Sequence, residues 1–402
     1  MDTNLLKQCE EKLKDRFEIL DEIAFFNEKK VLNAFKECEV SAQDFAGTTG
    51  YASYDRGREK LAQLFSTIFK AENAIVSPLI TCGTHALSIA LFGLLRPKDV
   101  VLSITGKLYD TLEDTLFGKG NGSLQDYGIK FEKVDLKNDE IDLDNVLKQV
   151  KKLKPKVVYL QKSRGYSSRT AISTSVMKDV FKKIRQINKK CFIFVDNCYG
   201  EFTEKQEPIE VGADVAVGSL IKNAGGGIVP TGGYIVGSNK AIDLISSRFT
   251  CPPLKLESGS YEMGYRLYFQ GIFLSPHVVK EALKGAYLIG ELMSMKGYEI
   301  KPKSDENSYD IVKSIMFNTE EELIKFVQKF QEFSPIDSNA VPMPWEMPGY
   351  QDKVIMAAGT FVDGASIELS CDSPIRKPYI AYFQGGLTYE HVKIVAENLI
   401  DF

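Results

Sequence analysis

Histidine is scarce in this sequence. Three residues, His85, His277 and His391, stand far apart along 402 positions, and no spacing among them suggests a metal site. Seven cysteines, an odd number, include no C-x-x-C pair. That gives no sign of a disulfide framework or of the usual zinc and redox motifs, and free thiols in a cytoplasmic protein are the expectation. Neither charge is in excess: 50 basic against 54 acidic residues give a formal net charge of −4. No basic stripe suited to nucleic acid is present. The cluster Lys151-Lys152-Leu153-Lys154-Pro155-Lys156 reads as a solvated helix end. No run of about 18 apolar residues occurs, so no membrane span is expected. Residues 1–20 are charged throughout and carry no apolar stretch, so no signal peptide is expected either.

What is present is an alternation of short apolar runs and helical segments. With 44% hydrophobic residues the chain can bury a sizeable core. Leu6, Cys9, Leu13, Phe17 and Leu20 recur at spacings of three and four and predict one helix over 4–38. The stretch 41–58 breaks this pattern with Gly, Thr, Ser and Asp and reads as a loop, followed by a helix over 59–69. Apolar runs then predict strands at 74–77, 100–104, 130–134, 157–160, 192–195, 215–218 and 233–236. Helical segments at 84–95, 143–153 and 175–187 separate several of them. Such alternation predicts an α/β fold with a mostly parallel seven-stranded sheet covered on both faces. The last strand follows its predecessor after about 14 residues of Gly-rich loop, too few for a comfortable crossover helix, so an antiparallel strand is possible there. Beyond residue 250, Val279, Leu283, Ala286, Ile289 and Met293 share one face of a long helix over 275–298. A strand at 311–316, a helix at 320–330, a Pro-rich loop at 335–352, strands near 354–358 and 366–370, and a final helix from Tyr389 form a small α+β unit. The expected organisation is an N-terminal helical segment (1–45), a large domain (46–274), and a bridging helix with a small C-terminal domain (275–402).

Two segments suggest chemistry. In FIFVDNCYGEF (192–202) an apolar strand delivers Asp196 to its C-terminal end, where ligands bind in open α/β sheets. In VAVGSLIKNAGGG (215–227) the next strand runs into Ser219, Lys222 and three glycines, which permit close backbone approach to a ligand. An acid and a lysine past neighbouring strands suit pyridoxal 5'-phosphate (PLP): the amine condenses with the cofactor aldehyde, and the acid keeps the pyridine nitrogen protonated. The segment Thr81-Cys82-Gly83-Thr84 opens a helix, whose free amides favour an anion, so Gly83, Thr84 and Ser219 are candidates for the phosphate. Tyr109, past the strand at 100–104, can stack on the ring. His85 is a packing or capping residue on this reading. Gln161, Ser163, Arg164 and Tyr166 lie where cofactor or substrate contacts are possible. Trp345 is either at the mouth of the site or a loop anchor.

In their order along the chain, TTGYASYDRGRE (48–59), SPLITCGTHAL (77–87), KLYDTLEDT (107–115), VDNCYGEF (195–202), GSLIKNAGGGIVPTGGYIVG (218–237) and IELSCDSPIRKPYIAYFQGGLTYEH (367–391) carry a resemblance over about residues 45–395. The sequence resembles fold-type-I PLP enzymes of the cystathionine/methionine γ-lyase group, and within it the aluminium-resistance-associated carbon–sulfur lyases. The resemblance implies an aspartate-aminotransferase-like fold and elimination of a thiol from a sulfur amino acid, giving a 2-oxo acid and ammonia. It implies that Tyr54 and Arg56 reach the phosphate of a neighbouring subunit, making a homodimer the minimal active unit and a homotetramer the expected assembly. It implies that Arg376 clamps the substrate carboxylate. One departure is the phosphate turn, Cys82-Gly83-Thr84 where the better-known cystathionine enzymes have Ser-Gly-Met, so substrate choice does not transfer. An aminotransferase, a racemase, a γ-replacement synthase and a non-catalytic PLP-binding protein are the alternatives. Ser219-Leu220-Ile221-Lys222 also reads as S-x-x-K, but the S-D-N and K-T-G partners of penicillin-recognising enzymes are missing.

Overall fold

The computed structural model describes residues 3–347 and 350–402. Helix α1 (Thr3–Glu37) is followed by α2 (Arg56–Phe69), β1 (Asn73–Ser77), α3 (Gly83–Leu94), β2 (Val100–Ser103) and α4 (Asp110–Phe117). Next come β3 (Lys130–Lys133), α5 (Leu143–Leu153), β4 (Val157–Gln161), α6 (Thr174–Ile187), β5 (Phe192–Asp196), β6 (Val215–Ser219), β7 (Gly233–Gly237) and α7 (Asn239–Phe249). The large sheet has the order β1-β7-β6-β5-β4-β2-β3. Its β6–β5–β4–β2–β3 portion is parallel, while β7 runs antiparallel to both β1 and β6. The fold is thus the expected seven-stranded, mostly parallel one, with its reversed strand where the short connection requires it.

Every residue of β4 to β7 is buried. Successive side chains of a strand point to opposite faces. Phe192 and Phe194 accordingly join the core under α3 and α7, while Ile193 and Val195 join the core under α5 and α6. Helix starts are fixed by side-chain caps: Asp55 accepts from the Arg58 amide on α2, and Ser173 from the Val176 amide on α6.

A long helix, α8 (Arg266–Met295), links this sheet to a second one. The sequence pattern places its start nine residues too late, at Ser275. Pro276 lies inside the helix, where it leaves the Ile272 carbonyl without its helical partner but does not end the helix. The apolar face of α1 packs along α8, with Leu6 and Cys9 among Ala286, Ile289 and Met293. The second sheet comprises β8 (Glu299–Lys301), β9 (Val312–Phe317), β10 (Val354–Ala357), β11 (Ser370–Pro374) and β12 (Tyr379–Gln384), in the order β10-β11-β12-β9-β8. All its pairings are antiparallel. Helices α9 (Glu320–Glu332) and α10 (Tyr389–Asn398) cover it.

The strand expected at 366–370 is displaced, since β11 starts only at Ser370. Ile367, Glu368 and Leu369 are all buried, which gives a strand-like apolar run, but residues 361–369 form turns and bends. The Glu368 carboxylate accepts from the Phe361 and Val362 amides at 2.9 and 3.0 Å, curling the chain back on itself. Strands β8 and β12 and helices α4 and α7 have no counterpart in the sequence reading. Among the described residues, no helix is long and apolar enough to cross a membrane.

Candidate active site

The C-terminal ends of the parallel strands open on a cavity of about 410 Å³. Register brings its floor together: Gln161 at the end of β4 pairs with Asp196 at the end of β5, and Asp196 with Val217 of β6. Gly83, Thr84, Tyr109, Asp196, Ser219 and Lys222, six of the residues singled out in the sequence, all line it.

Asp196 is buried. The Cys198 amide donates to its Oδ1 (3.1 Å) and the Tyr159 hydroxyl to its Oδ2 (3.3 Å). Burial pushes this carboxyl up, against those bonds and the nearby Lys222 charge. A cationic N–H beside it would hold it ionised. Lys222 lies just past β6, its Nζ 4.0 Å from the centroid of the Tyr199 ring. Burial disfavours its charged form, but Tyr199, Cys198 and Asp196 outweigh burial and hold the ammonium above the usual lysine range.

Helix α3 points its N-terminus at the same cavity. The Cys82 thiol accepts from the His85 amide (3.4 Å), leaving Gly83 and Thr84 as the first helical residues. A Cβ on Gly83 would lie 3.2 Å from Cys198 Sγ and 3.4 Å from Ser219 Cβ, so glycine lets three loops converge. The Thr84 hydroxyl shares a hydrogen bond with Thr111 (3.0 Å). His85 faces the turn: its Nδ1 accepts from the Thr81 amide (3.1 Å), and burial lowers its pKa, keeping it neutral.

The glycines after Lys222 do not line the cavity. Gly226 and Gly227 have φ of +57° and +75°. A Cβ would lie 2.4 Å from the Gly271 carbonyl of α8 at the first and 2.2 Å from Leu387 at the second. Their role is close packing against the helix and the chain before α10, which corrects the expectation that they approach a ligand.

Three sequence candidates stand outside this cavity. The Arg376 guanidinium, half exposed, pairs with Asp352 at 2.8 Å. Tyr54 is 93% exposed and lies outside the cavity, as does the exposed Tyr51 three residues earlier. Arg56 binds Asp44 and Ser41 of its own chain. Trp345 anchors its loop through paired backbone bonds with Val354, its ring half exposed. Gln161 and Ser163 line the cavity, and Gln161 Oε1 is buried without a partner. Arg164 is buried beneath it, bound to the Lys301 carbonyl and Ser314.

Sequence reasoning singled out Tyr109 and Tyr166 but missed Tyr199, Tyr350 and Asp372. Tyr199 holds a left-handed backbone (φ +70°), unusual for a non-glycine residue, and its hydroxyl pairs with Ser366 (3.1 Å). No local pattern announces that conformation. In the roof, Tyr350 shares a hydrogen bond with Tyr109 (2.9 Å), and Tyr166 donates to Asp372 Oδ2 (2.5 Å).

The family model "Methionine gamma-lyase" matches residues 2–402. YnbB of Bacillus subtilis (strain 168), itself without an assigned activity, is 46% identical over 386 residues, covering 95% of this chain and 91% of its own. A Listeria innocua structure whose name connects it with cystathionine beta-lyase and aluminum resistance is 44% identical, covers 100% of this chain and 99% of its own, and gives a TM-score of 0.97. A carbon-sulfur lyase involved in aluminum resistance from Clostridium novyi NT is 44% identical, with coverage of 99% and 95% and a TM-score of 0.94. More distant structures show the fold alone: the pyridoxal-5'-phosphate dependent protein YhfS of Escherichia coli is 15% identical, with coverage of 96% and 97% and a TM-score of 0.62. This is the fold-type-I architecture, and the chain belongs to the methionine gamma-lyase family.

Proposed function

We propose that the protein is a PLP-dependent carbon–sulfur lyase that eliminates a thiol from a sulfur-containing amino acid. The observation that carries this reading is the meeting of Lys222, Asp196 and the α3 N-terminus in one cavity, in a chain matched by the family model from end to end. The residues fit the cofactor. Lys222 would hold its aldehyde carbon, and Asp196, buried at the floor, would keep a proton on the pyridine nitrogen. The amides of Gly83 and Thr84, with the Thr84 and Ser219 hydroxyls, would bind the phosphate. Gln161, with one amide atom buried and unpartnered, offers a hydrogen bond to the ring substituent. When bound, the cofactor supplies an electron-accepting ring that makes the substrate Cα–H acidic.

The chain's own groups do the rest. The Lys222 amine, once free, would be placed to take the Cα proton. The Tyr109 ring covers one face of the cavity, and its hydroxyl is the second acid–base group there. Arg376 is the carboxylate clamp in this reading; to act, its guanidinium must exchange Asp352 for the substrate, and its planar fork suits a bidentate carboxylate. Tyr54 and Arg56 would complete the phosphate site of a second copy, which accounts for a 93%-exposed tyrosine beside the exposed Tyr51 and makes a homodimer the working unit.

The experiment is an assay of 2-oxo acid and free thiol across cystathionine, methionine and S-alkylcysteines, with and without an added 2-oxo acid or second thiol. Stoichiometric release of both products, unchanged by the additions, is the expected result. Transamination of the added 2-oxo acid, or incorporation of the added thiol in place of release, would overturn the lyase assignment.

A further inference from the structure

The turn after β5 contains a buried carboxyl that the functions above do not use. Glu201 is wholly enclosed and follows Asp196 and Tyr199 on the same turn. It is tied to both strands that flank the lysine loop. Its Oε1 accepts from the Tyr234 hydroxyl of β7 at 2.8 Å. The same oxygen packs on β6, where a Cβ on Gly218 would lie 2.4 Å from it. The Glu201 backbone carbonyl accepts from Asn223 Nδ2 at 3.1 Å, and Asn223 directly follows Lys222. The turn itself is strained: Tyr199 and Phe202, on either side of Glu201, hold φ of +70° and +61°. Non-glycine residues stay in that region only where the surroundings over-determine them. The anchors of Glu201 supply that constraint, and the strained turn sets the Tyr199 ring 4.0 Å from Lys222 Nζ.

The surroundings suit an acid that keeps its proton. The buried cations of this region are directed elsewhere: Lys162 to Glu204 at 3.0 Å, Lys222 to the Tyr199 ring, and Lys30 toward Glu210 at 4.0 Å. Among the described residues Glu201 has no ion-pair partner, and its Oε2 is buried without a hydrogen bond. Asn197, which also donates to the Tyr234 hydroxyl, and Asn223 each leave Oδ1 buried and unpartnered. An isolated carboxylate is costly there, and a proton on Glu201 adds a donor to a set rich in idle acceptors. Facing the carboxyl are Tyr234 from β7, Lys222 from the loop after β6 and Cys198 from its own turn. Glu207 faces it from the segment that follows, and Lys162 from the loop after β4. Burial raises the carboxyl from 4.5 to about 8, with Glu207 adding to the rise and the Tyr234 bond and Lys222 charge opposing it.

We propose that Glu201, held as the neutral acid, is a positioning residue that pins the Tyr199 turn against the Lys222 loop. The inference rests on the lyase reading only for the part Lys222 plays in turnover. Glu201 does not line the cavity and touches neither substrate nor cofactor. It acts through Tyr199, whose ring fixes where the lysine amine stands, and through Asn223, which fixes the chain beside it. An ionised Glu201 would face Glu207 as a like charge and add a buried negative charge to that of Asp196 near Lys222. Keeping the proton keeps the surroundings of the lysine constant across neutral pH.

Glu201→Gln and Glu201→Leu test this. The first keeps the shape and hydrogen-bonding capacity of the neutral acid, and the second keeps volume alone. In the apoprotein, a carboxyl raised on folding keeps a proton that the unfolded chain releases. Its contribution to stability is whole below 4.5 and is lost progressively as pH rises to about 8. Between pH 5 and 8 the melting temperature of wild type should therefore fall by about 5 °C relative to Glu201→Gln, and above that the curves should run parallel. Curves parallel from pH 5 upward overturn the inference, because Glu201 is then ionised in the folded chain. In the PLP-loaded protein, the pH titration of the visible band reports on Lys222. Glu201→Leu should move that titration by about half a pH unit or more and lower kcat about tenfold, with KM within about threefold. Glu201→Gln should restore both. A Leu variant that is less stable but keeps the band and kcat of wild type has lost only a structural contact, which overturns the positioning role. If Glu201→Leu does not fold, Tyr234→Phe removes the hydroxyl partner alone, and the same readings decide. Absence of turnover with every sulfur amino acid contradicts the lyase reading instead, while the visible band and the apoprotein curves still decide the part of Glu201.

Discussion

The floor of the cavity is made from strand ends and the roof from loops of two separate sheets, and the two were legible to very different degrees. On the floor, Asp196, Ser219 and Lys222 each sit within a residue or a few of a buried strand, and the α3 turn immediately follows β1. Local sequence therefore encodes both their chemistry and their place. In the roof, Tyr109, Tyr166, Tyr350 and Asp372 are separated by up to 241 residues across a single hydrogen bond. Only the docking of the second sheet onto the first brings them together. The comparison teaches that local sequence can announce the groups at strand ends while leaving unannounced the contacts made between distant loops.

Substitutions on the floor should therefore destroy the site, and those in the roof should retune it. The largest effect is expected for Lys222→Ala: turnover at least about a thousandfold lower, measured as 2-oxo acid release, because both an attachment point and an acid–base group are lost. Asp196→Asn comes next, with kcat about 100-fold lower and weaker cofactor retention on dialysis. If it instead kept full activity, the floor would not need a charge at that point. Outside the cavity, past β11, Arg376→Lys should raise KM about tenfold while kcat stays within threefold, because a point charge cannot reproduce the bidentate fit. A change confined to kcat would remove Arg376 from carboxylate binding. The smallest effect belongs to Asp352→Asn, which frees Arg376 from its resting partner. KM should fall about two- to threefold.

A packing prediction sharpens the same comparison. Gly227→Ala places a Cβ against Leu387 at a left-handed position, so it should destabilise the fold by about 1–3 kcal/mol in denaturant unfolding. Cofactor content at low temperature should be unchanged. Lost cofactor without lost stability would restore these glycines to the ligand site.

Much of the fold was readable for a specific reason. The central strands are apolar on both faces and bounded by loops, so β4 to β7 stand out as unbroken runs. Strand β12 and helix α7 were passed over although each buries apolar residues of its own, Ala381 and Phe383 in β12 and Ala241, Ile242 and Ile245 in α7. Ile367 and Leu369 deceived because both are buried within a turn that the equally buried Glu368 holds closed. The triple glycine deceived by standing beside the lysine; its neighbours in space are Gly271 and Leu387, far along the chain. Tyr199 could not be found because what distinguishes it, a left-handed backbone beneath Lys222, is set by the surrounding structure.

The most direct test of the central claim is the visible absorption spectrum of the purified protein before and after borohydride reduction, with peptide mapping of the reduced chain. The account predicts a yellow band that bleaches on reduction, and the cofactor mass fixed to Lys222. A protein that stays colourless after incubation with PLP, or an adduct on another lysine, would contradict it.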